Sequence, residues 1–285
     1  MGETLTPSGQ MLRLDGRQVH YQRVAGTGPG VIAIHGASGN LRDWMIGPVT
    51  ALAPSPVLVM DRPGMGFSDP APGDPHSIYD QATAMRNAAR ALGIERPILV
   101  GHSFGGSVAL AWAARFADEV AGLVLLAAPS QVWEGGLGNI YSFSANPVIG
   151  PVFNRVAPAL AGKGRVTAAI TSVFAPETAP ANYAQKINAD LSLRPATLRQ
   201  NAKDLLALKA HIRTLVPLYP SFEMPVEIVH GTEDGSVPID IHSDKTALQI
   251  PGAGYRRLPG VGHMPHHTQM TEVAAAVDRV RARLK

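Results

Sequence analysis

The chain contains no cysteine among its 285 residues. This absence excludes disulfide bonds and thiolate metal sites, and thiol usage therefore says nothing about the redox compartment. Long apolar runs are also missing, because no stretch approaches the roughly 18 apolar residues of a membrane span. Residues 1–14 lack the basic segment and the apolar core of a signal peptide. We therefore expect a cytoplasmic protein with no stable membrane insertion.

Charged residues are also few, and the net charge is small. Charged residues make up 16% of the chain, the formal net charge is +3 and the sequence pI is near 9.3. No cluster of Lys and Arg interleaved with aromatics occurs, so we expect no nucleic-acid partner. Neither a G-x-G-x-x-G pattern nor a P-loop occurs, so no cofactor is implied. A hydrophobic fraction of 45% suffices for a full core, and a small-molecule substrate is the expected partner, with a homodimer left open.

What the chain does have is a G-x-S-x-G pentapeptide between an apolar run and an Ala-rich stretch. Gly101-His102-Ser103-Phe104-Gly105 follows residues 97–100 directly. A serine hydroxyl is a poor nucleophile, so the chain must turn sharply to present it to a base, and glycines two residues to either side permit that turn. Gly106 adds a small residue where a helix must approach the sheet. The pattern predicts that Ser103 is a nucleophile.

Two further signals follow in the order that this kind of nucleophile predicts, which is serine, acid, histidine. Asp234 comes in a loop after the apolar run 226–229, and His263 comes in a glycine-rich segment nearer the C-terminal end. His263 would take the proton of Ser103, and Asp234 would fix the imidazole tautomer and stabilise its cationic form. Glu233 is the alternative acid.

The segment after the apolar run Val31–Ile34 is a candidate oxyanion hole. It reads His35-Gly36-Ala37-Ser38-Gly39. Two backbone N–H groups can hold the negative oxygen of a tetrahedral intermediate without reorganising, and each is worth roughly 3 to 4 kcal/mol. The predicted donors are the N–H of Ala37 and that of Phe104, the residue after the nucleophile.

Together these segments resemble the α/β-hydrolase fold superfamily, in its serine-nucleophile, esterase-like group with a helical cap. The resemblance runs from about Val31 to the C-terminal end and includes the turn Asp61-Arg62-Pro63-Gly64-Met65-Gly66-Phe67-Ser68. It implies an α/β fold: a mostly parallel eight-stranded sheet with helices on both faces and an inserted cap. The turn is mainly structural in that family, so we interpret Asp61 and Arg62 as a loop ion pair or a hydrogen-bonded turn.

The pattern along the chain also favours alternating strands and helices. The dipeptide Asp15-Gly16 predicts a hairpin between the first two strands. Strands are predicted over residues 12–14, 18–23, 31–34, 57–60, 98–100, 122–126, 226–229 and 254–258, and helices over residues 41–53, 77–92, 104–116, 239–249 and 269–284.

The alternation stops between residues 130 and 222. This segment is rich in Pro, Gly and Ala, has short helical stretches such as residues 198–212, and has no clear strand. We assign residues 1–129 and 223–285 to the core and residues 130–222 to a cap over the C-terminal edge of the sheet, where ligands bind in open α/β folds. Its aromatic residues are candidates for the wall of an apolar pocket; those proposed to bind substrate are Trp133, Tyr141, Phe143 and Tyr219.

Three other histidines accompany these motifs. His266 and His267 follow His263, but no H-E-x-x-H helix or cysteine supports a metal site, so we expect supporting or surface histidines and no metal. His102 is expected to pack or to form a hydrogen bond beneath the turn at Ser103.

The identity of the nucleophile separates the chemistries of this superfamily. Epoxide hydrolases and haloalkane dehalogenases of the fold use an aspartate, whereas Ser103 suits acyl transfer from an ester, thioester, lactone or amide carbonyl, followed by attack of water. We therefore expect hydrolysis of a carboxylic ester, or of a related lactone or thioester, in an apolar small molecule. Carbon–carbon bond hydrolases of ring-cleavage dienones, haloperoxidase-like perhydrolases and noncatalytic ligand-binding receptors of the fold remain alternatives.

Overall fold

The computed structural model describes residues 6–284, and the side chains of these residues except 158–163. The strands are β1 Gln10–Leu14, β2 Arg17–Val24, β3 Val31–Ile34, β4 Val57–Met60, β5 Ile98–His102, β6 Gly122–Leu126, β7 Val226–Gly231 and β8 Gly254–Leu258. The helices are α1 Arg42–Met45, α2 Ile78–Ala91, α3 Phe104–Arg115, α4 Asn139–Ala145, α5 Gly150–Phe174, α6 Tyr183–Lys186, α7 Pro195–Leu215, α8 Ser243–Gln249, α9 Pro265–Thr268 and α10 Met270–Arg281.

The eight strands form one sheet in the order β1-β2-β4-β3-β5-β6-β7-β8. β2 pairs antiparallel with β1 and β4, and the remaining neighbours are parallel. Leu14 lies opposite Arg17, so Asp15 and Gly16 form a two-residue hairpin loop, and both have positive φ, as such loops require. The predicted fold class and the predicted hairpin are confirmed.

Alternate residues of the central strands enter two hydrophobic cores, one on each face of the sheet. On one face, Ile32 and Leu99 pack in a cluster with residues of α2 and α3. On the other face, Val31 and Val100 pack in a cluster with residues of α10. Because side chains along a strand point to opposite faces in turn, apolar runs such as Val31–Ile34 are buried on both sides. Helices therefore cover both faces of the sheet.

The helices α4 to α7 lie between β6 and β7, where the sequence predicts a cap. Two of them are long: α5 has 25 residues and α7 has 21. The prediction of short helical stretches is confirmed for α4 and α6 and wrong for α5 and α7, although α7 contains the predicted stretch 198–212. In α5, packing against neighbouring elements can outweigh the low helix propensity of its glycines. The boundaries at residues 130 and 222 stay a prediction. No helix in the described part of the chain combines the length and hydropathy needed to cross a bilayer.

The helix predicted over residues 41–53 is also wrong. The structure has the four-residue α1, followed by a separate 3-10 turn at Pro48–Leu52. Pro48 has no N–H to donate, and it disfavours the helical conformation at Gly47 before it. A continuous helix is therefore interrupted at this point.

The turn at Asp61 is hydrogen-bonded, but its two charged residues do not pair with each other. Asp61 accepts hydrogen bonds from the backbone N–H groups of Leu41 and Phe67 at 2.7 and 2.8 Å. Arg62 instead faces Asp204 on α7 at 3.5 Å. Of the two interpretations from the sequence, the hydrogen-bonded turn is the one that the structure shows.

Candidate active site

Ser103 stands in a strained turn between β5 and α3. Its φ and ψ are 51° and −126°, a region that residues other than glycine rarely adopt. Its N–H donates to the carbonyl of Leu126 on the neighbouring strand at 2.9 Å. A methyl group on Gly106 would overlap the side chain of Ala128, so the glycine lets α3 approach the sheet. This geometry presents the serine hydroxyl at the C-terminal edge of the sheet.

Asp234 holds the imidazole of His263. Nδ1 of His263 lies 2.7 Å from Oδ2 of Asp234, and both side chains are largely buried. Glu233, in contrast, is exposed, and its carboxylate faces the hydroxyl of Thr232. Burial by itself raises the pKa of Asp234, but hydrogen bonds from His230 and His263 outweigh it and hold that pKa well below its ordinary value. Asp234 is thus an ionised acceptor.

Ser103 and His263 border the same cavity. The hydrogen bonds described for the His263 ring join it to Asp234, and none joins it to Ser103 Oγ. Catalytic hydrogen bonds are often long before substrate binds and shorten in the complex. The structure brings the three predicted residues together, and their catalytic roles stay a prediction.

Backbone amides predicted for the oxyanion hole border this cavity as well. Ala37 and Phe104 both line it. Phe104 begins α3, so its N–H has no partner within the helix. His35 secures the opposing loop: its Nδ1 donates to the carbonyl of Gly36 at 2.9 Å, and its Nε2 accepts from the N–H of Arg62 at 2.9 Å. Burial is the largest cause that lowers the pKa of His35, the charge of Arg62 is the second, and together they bring it to about 4. The ring of His35 is therefore neutral.

His102 supports the other side of the site. Its Nε2 donates to the carbonyl of His263 at 2.8 Å, and its ring packs against that of His266 with centroids 4.1 Å apart. Burial, followed by the charges of His266 and His263, lowers its pKa well below the ordinary value. His102 therefore forms a hydrogen bond beneath the turn, as the sequence predicts, and fixes the backbone that carries His263.

The cavity over Ser103 has a volume of about 620 Å³, which is within the range of small-molecule sites. Trp133 and Tyr141 line it, together with apolar residues of α5 and α7. The other two predicted contacts lie elsewhere. Phe143 is 47% exposed and faces Phe153. Tyr219 is fully buried, and its hydroxyl donates to the carbonyl of Ser130 at 2.6 Å.

These two corrections have a physical reason. A tyrosine whose hydroxyl has a backbone partner can pack entirely inside a core, and Tyr219 does so against Phe222. Aromatic residues on one helix can also point to opposite sides of it, so Tyr141 reaches the cavity from α4 while Phe143 faces outward. Composition alone does not distinguish these directions.

Asp43 receives three donors at the edge of the cavity. His266 and His267 lie 3.0 and 2.7 Å from its two oxygens, and the hydroxyl of Tyr183 lies 2.6 Å away. The carboxylate and the two imidazoles form a group that could hold a metal ion. Ligands of a tetrahedral zinc lie about 3.3 Å apart, however, so these separations fit direct hydrogen bonds better. Burial raises the pKa of Asp43, but the two histidines outweigh it and hold that pKa well below its usual value.

Two buried polar residues at this site were missed from the sequence. Asp43 lines the cavity from α1, and His230 lies at the end of β7, beside Asp234. Only His230 carries a signal in the sequence, because it ends the largely apolar run of β7 and a buried ionisable residue has to be hydrogen-bonded. Asp43 stands beside Arg42 in a helix of which half the residues are charged, so no apolar pattern marks it.

Known proteins similar to this chain include hydrolases. A model described as the alpha/beta hydrolase family matches residues 31–276. An uncharacterized protein of Mycobacterium tuberculosis is 27% identical over 266 residues, which cover 90% of this chain and 76% of that protein. The 2-hydroxy-6-oxononadienedioate/2-hydroxy-6-oxononatrienedioate hydrolase of Comamonas testosteroni is 27% identical over 247 residues, covering 84% and 82%.

Solved structures resemble the fold over nearly the whole chain. A bromoperoxidase from Bacillus anthracis has a TM-score of 0.75 at 21% identity, covering 95% of this chain and 100% of that one. An esterase from Exiguobacterium antarcticum has a TM-score of 0.75 at 19% identity, covering 96% and 99%. At such identities the likeness shows the fold alone.

Proposed function

This chain belongs to the alpha/beta hydrolase family, and from that premise we propose that it is a serine hydrolase that cleaves the carboxylic ester of an uncharged, apolar small molecule. Related lactones and thioesters present the same carbonyl chemistry. The observation that carries the proposal is the hydrogen bond of 2.7 Å between His263 and Asp234, because His263 lines the same cavity as the strained Ser103. Nucleophile, base and orienting acid are the groups that acyl transfer requires.

The reaction follows from these positions. Ser103 Oγ attacks the ester carbonyl while Nε2 of His263 takes its proton, and the N–H groups of Ala37 and Phe104 hold the resulting oxyanion. The C–O bond then breaks, and the alcohol leaves with the proton from His263. Water attacks the acyl-enzyme by the same route, which releases the acid and restores Ser103. Asp234 stabilises the imidazolium in both halves.

The charge of the cavity favours an uncharged substrate. Among the described side chains that line it, none belongs to Lys or Arg. Its buried acid, Asp43, already has three donors. A carboxylate that enters such a cavity loses its hydration without gaining a cation, which is unfavourable by several kcal/mol. Neutral esters carry no such penalty.

A carbon–carbon bond hydrolase is the second candidate, because the Comamonas testosteroni relative is named for that activity. A dienedioate has two carboxylates, and the cavity has no described cation to receive them. Ester hydrolysis is therefore the better fit.

The test compares wild type with Ser103→Ala on p-nitrophenyl esters of increasing acyl length, and mass spectrometry locates a fluorophosphonate label. We expect the label on Ser103 and a loss of kcat of roughly 10⁴-fold or more in the variant. Ser144→Ala is a matched control, because Ser144 is similarly buried in α4 but hydrogen-bonds to Asn154. Undiminished activity of Ser103→Ala contradicts the proposal, and labelling with turnover only of a dienone substrate supports the carbon–carbon alternative.

A further inference from the structure

A second imidazole reaches the carboxylate of Asp234. His230, the last but one residue of β7, is fully buried, and its Nε2 lies 2.9 Å from Oδ2 of Asp234. This is the same oxygen that Nδ1 of His263 approaches at 2.7 Å. The reaction proposed above uses only one of the two histidines.

The partners of His230 determine its tautomer. Nε2 also lies 2.8 Å from the carbonyl oxygen of Val237. A carbonyl and an ionised carboxylate can only accept, so Nε2 carries the proton and donates. Nδ1 lies 2.6 Å from Oγ of Ser243 in α8, a hydroxyl that can donate to it when the ring is neutral. A chain of hydrogen bonds therefore runs from Ser243 through His230 and Asp234 to His263.

Both oxygens of Asp234 are held. Oδ1 accepts from the backbone N–H groups of Ser236 and Val237 at 2.8 Å each, and Oδ2 accepts from the two imidazoles. The carboxylate cannot rotate about its Cβ–Cγ bond without breaking hydrogen bonds inside a buried region, where an unmade bond is costly. His230 supplies the one donor to Oδ2 besides His263 among the described contacts.

We propose that His230, held by Ser243, is a positioning residue that keeps Oδ2 of Asp234 aimed at His263 and so aligns the base for Ser103. The inference rests on the proposed serine hydrolase function. Catalytic groups act within narrow geometric limits, and a carboxylate without its second donor on Oδ2 turns or draws in water to satisfy that oxygen. His263 then loses its fixed orientation.

A pair of variants separates positioning from packing. His230→Leu retains a similar volume and removes the donor, whereas His230→Gln places an amide N–H near the position of Nε2. We expect the kcat of His230→Leu to fall by roughly 10- to 100-fold with little change in KM. We expect His230→Gln to recover most of that loss. Equal impairment of both variants shows a packing role and overturns the proposal.

His20→Leu is the matched control. His20 is also buried and pairs with a carboxylate, Asp61, at 2.6 Å, but neither residue lines the cavity. The same chemical change there removes a buried His–Asp hydrogen bond away from the site. We expect it to lower the melting temperature and to leave kcat unchanged.

A measurement on the resting protein keeps this inference distinct from the proposed function. The proton on Nδ1 of His263 should give a far-downfield ¹H NMR resonance, because it is hydrogen-bonded to a buried carboxylate. We expect this resonance to shift or broaden in His230→Leu and to return in His230→Gln. A resonance and a kcat unchanged in His230→Leu overturn the positioning role. If wild type hydrolyses no ester, the proposed function has failed, and the resonance still decides whether His230 positions Asp234.

Discussion

At the scale of single residues, burial and hydrogen-bond partners distinguish two adjacent acids that the sequence leaves as alternatives. Glu233 is exposed, whereas Asp234 is 6% exposed and accepts from His263. An exposed carboxylate keeps its water and gives an imidazolium little stabilisation, while a buried one interacts strongly. The geometry therefore favours Asp234 as the orienting acid.

Substitution of that acid should lower the rate steeply. In Asp234→Asn the amide oxygen can retain the backbone bonds from Ser236 and Val237, which leaves the amide N–H₂ facing His263. Donor then faces donor, the imidazole adopts the wrong tautomer, and we expect kcat to fall by roughly 10⁴-fold. Steady-state kinetics of Asp234→Asn beside Glu233→Gln test this. A steep loss in Glu233→Gln with an active Asp234→Asn would identify Glu233 as the acid.

At the scale of elements, small residues determine how closely α3 lies against the sheet. The Cβ position of Gly106 is occupied by the side chain of Ala128, which follows β6. A larger residue there must push α3 away from the sheet, and the nucleophile lies at the start of that helix. The site therefore depends on the approach of α3 to the sheet.

Gly106→Ala should destabilise the protein by about 1–3 kcal/mol, because overpacking forces the backbone to shift. Gly164→Ala in α5 is the control: no described atom lies within 4 Å of the added methyl group, and alanine favours a helix. Urea unfolding monitored by circular dichroism gives both values. Equal stability of Gly106→Ala and wild type would contradict the packing argument.

A buried ion pair joins the turn after β4 to α7. Arg62 and Asp204 are both fully buried and lie 3.5 Å apart, and Arg62 Nε also donates to the carbonyl of His35 at 3.1 Å. Burial lowers the pKa of Arg62, and Asp204 opposes that change. The pair links the candidate oxyanion loop to a helix of the inserted segment.

Asp204→Ala should therefore cost about 3–5 kcal/mol of unfolding free energy, since it leaves a buried cation without its carboxylate. Chemical denaturation measures the loss. The exposed Asp118 offers a control, and Asp118→Ala should change stability by about 0.5 kcal/mol or less. A loss in Asp204→Ala as small as that of the control would contradict a structural role for the pair.

At the scale of the whole molecule, several buried histidines are neutral. Burial is the largest cause that lowers the pKa of His35, His242 and His266, each to about 4. In the unfolded chain a histidine has a pKa near 6.5. The unfolded state therefore binds more protons than the folded state between pH 6.5 and 4.

Stability should consequently fall as the pH is lowered through that window. Each of the three histidines should lower the free energy of unfolding by roughly 1.4 kcal/mol for each pH unit between its unfolded and its folded pKa. Urea unfolding at several pH values from 7 to 4.5 measures the slope, and His266→Asn should reduce it by about one group's share. A free energy of unfolding that is constant over this range would show that these rings are not buried in neutral form.

Local sequence determined much of the fold and the order of the candidate site residues. The local requirements are short: glycines permit the sharp turn at Ser103, Asp15-Gly16 forms a two-residue hairpin loop, and an apolar run such as Val31–Ile34 forms a strand buried on both faces. Such requirements depend on neighbours along the chain, so they can be read from a pattern. Strand positions and the approach of α3 were predicted for this reason.

Only the tertiary structure decided which side chains meet across the chain. Tyr219 packs in the core while Trp133 lines the cavity, and Arg62 pairs with Asp204 instead of its neighbour Asp61. The second imidazole on Asp234 likewise depends on the path of the loop after β7. These contacts follow from how α7, the loops and the sheet pack together. A sequence pattern indicates which side of its own helix or strand a residue occupies, but it does not indicate which residue of another element lies opposite. These contacts therefore could not be predicted from the sequence alone.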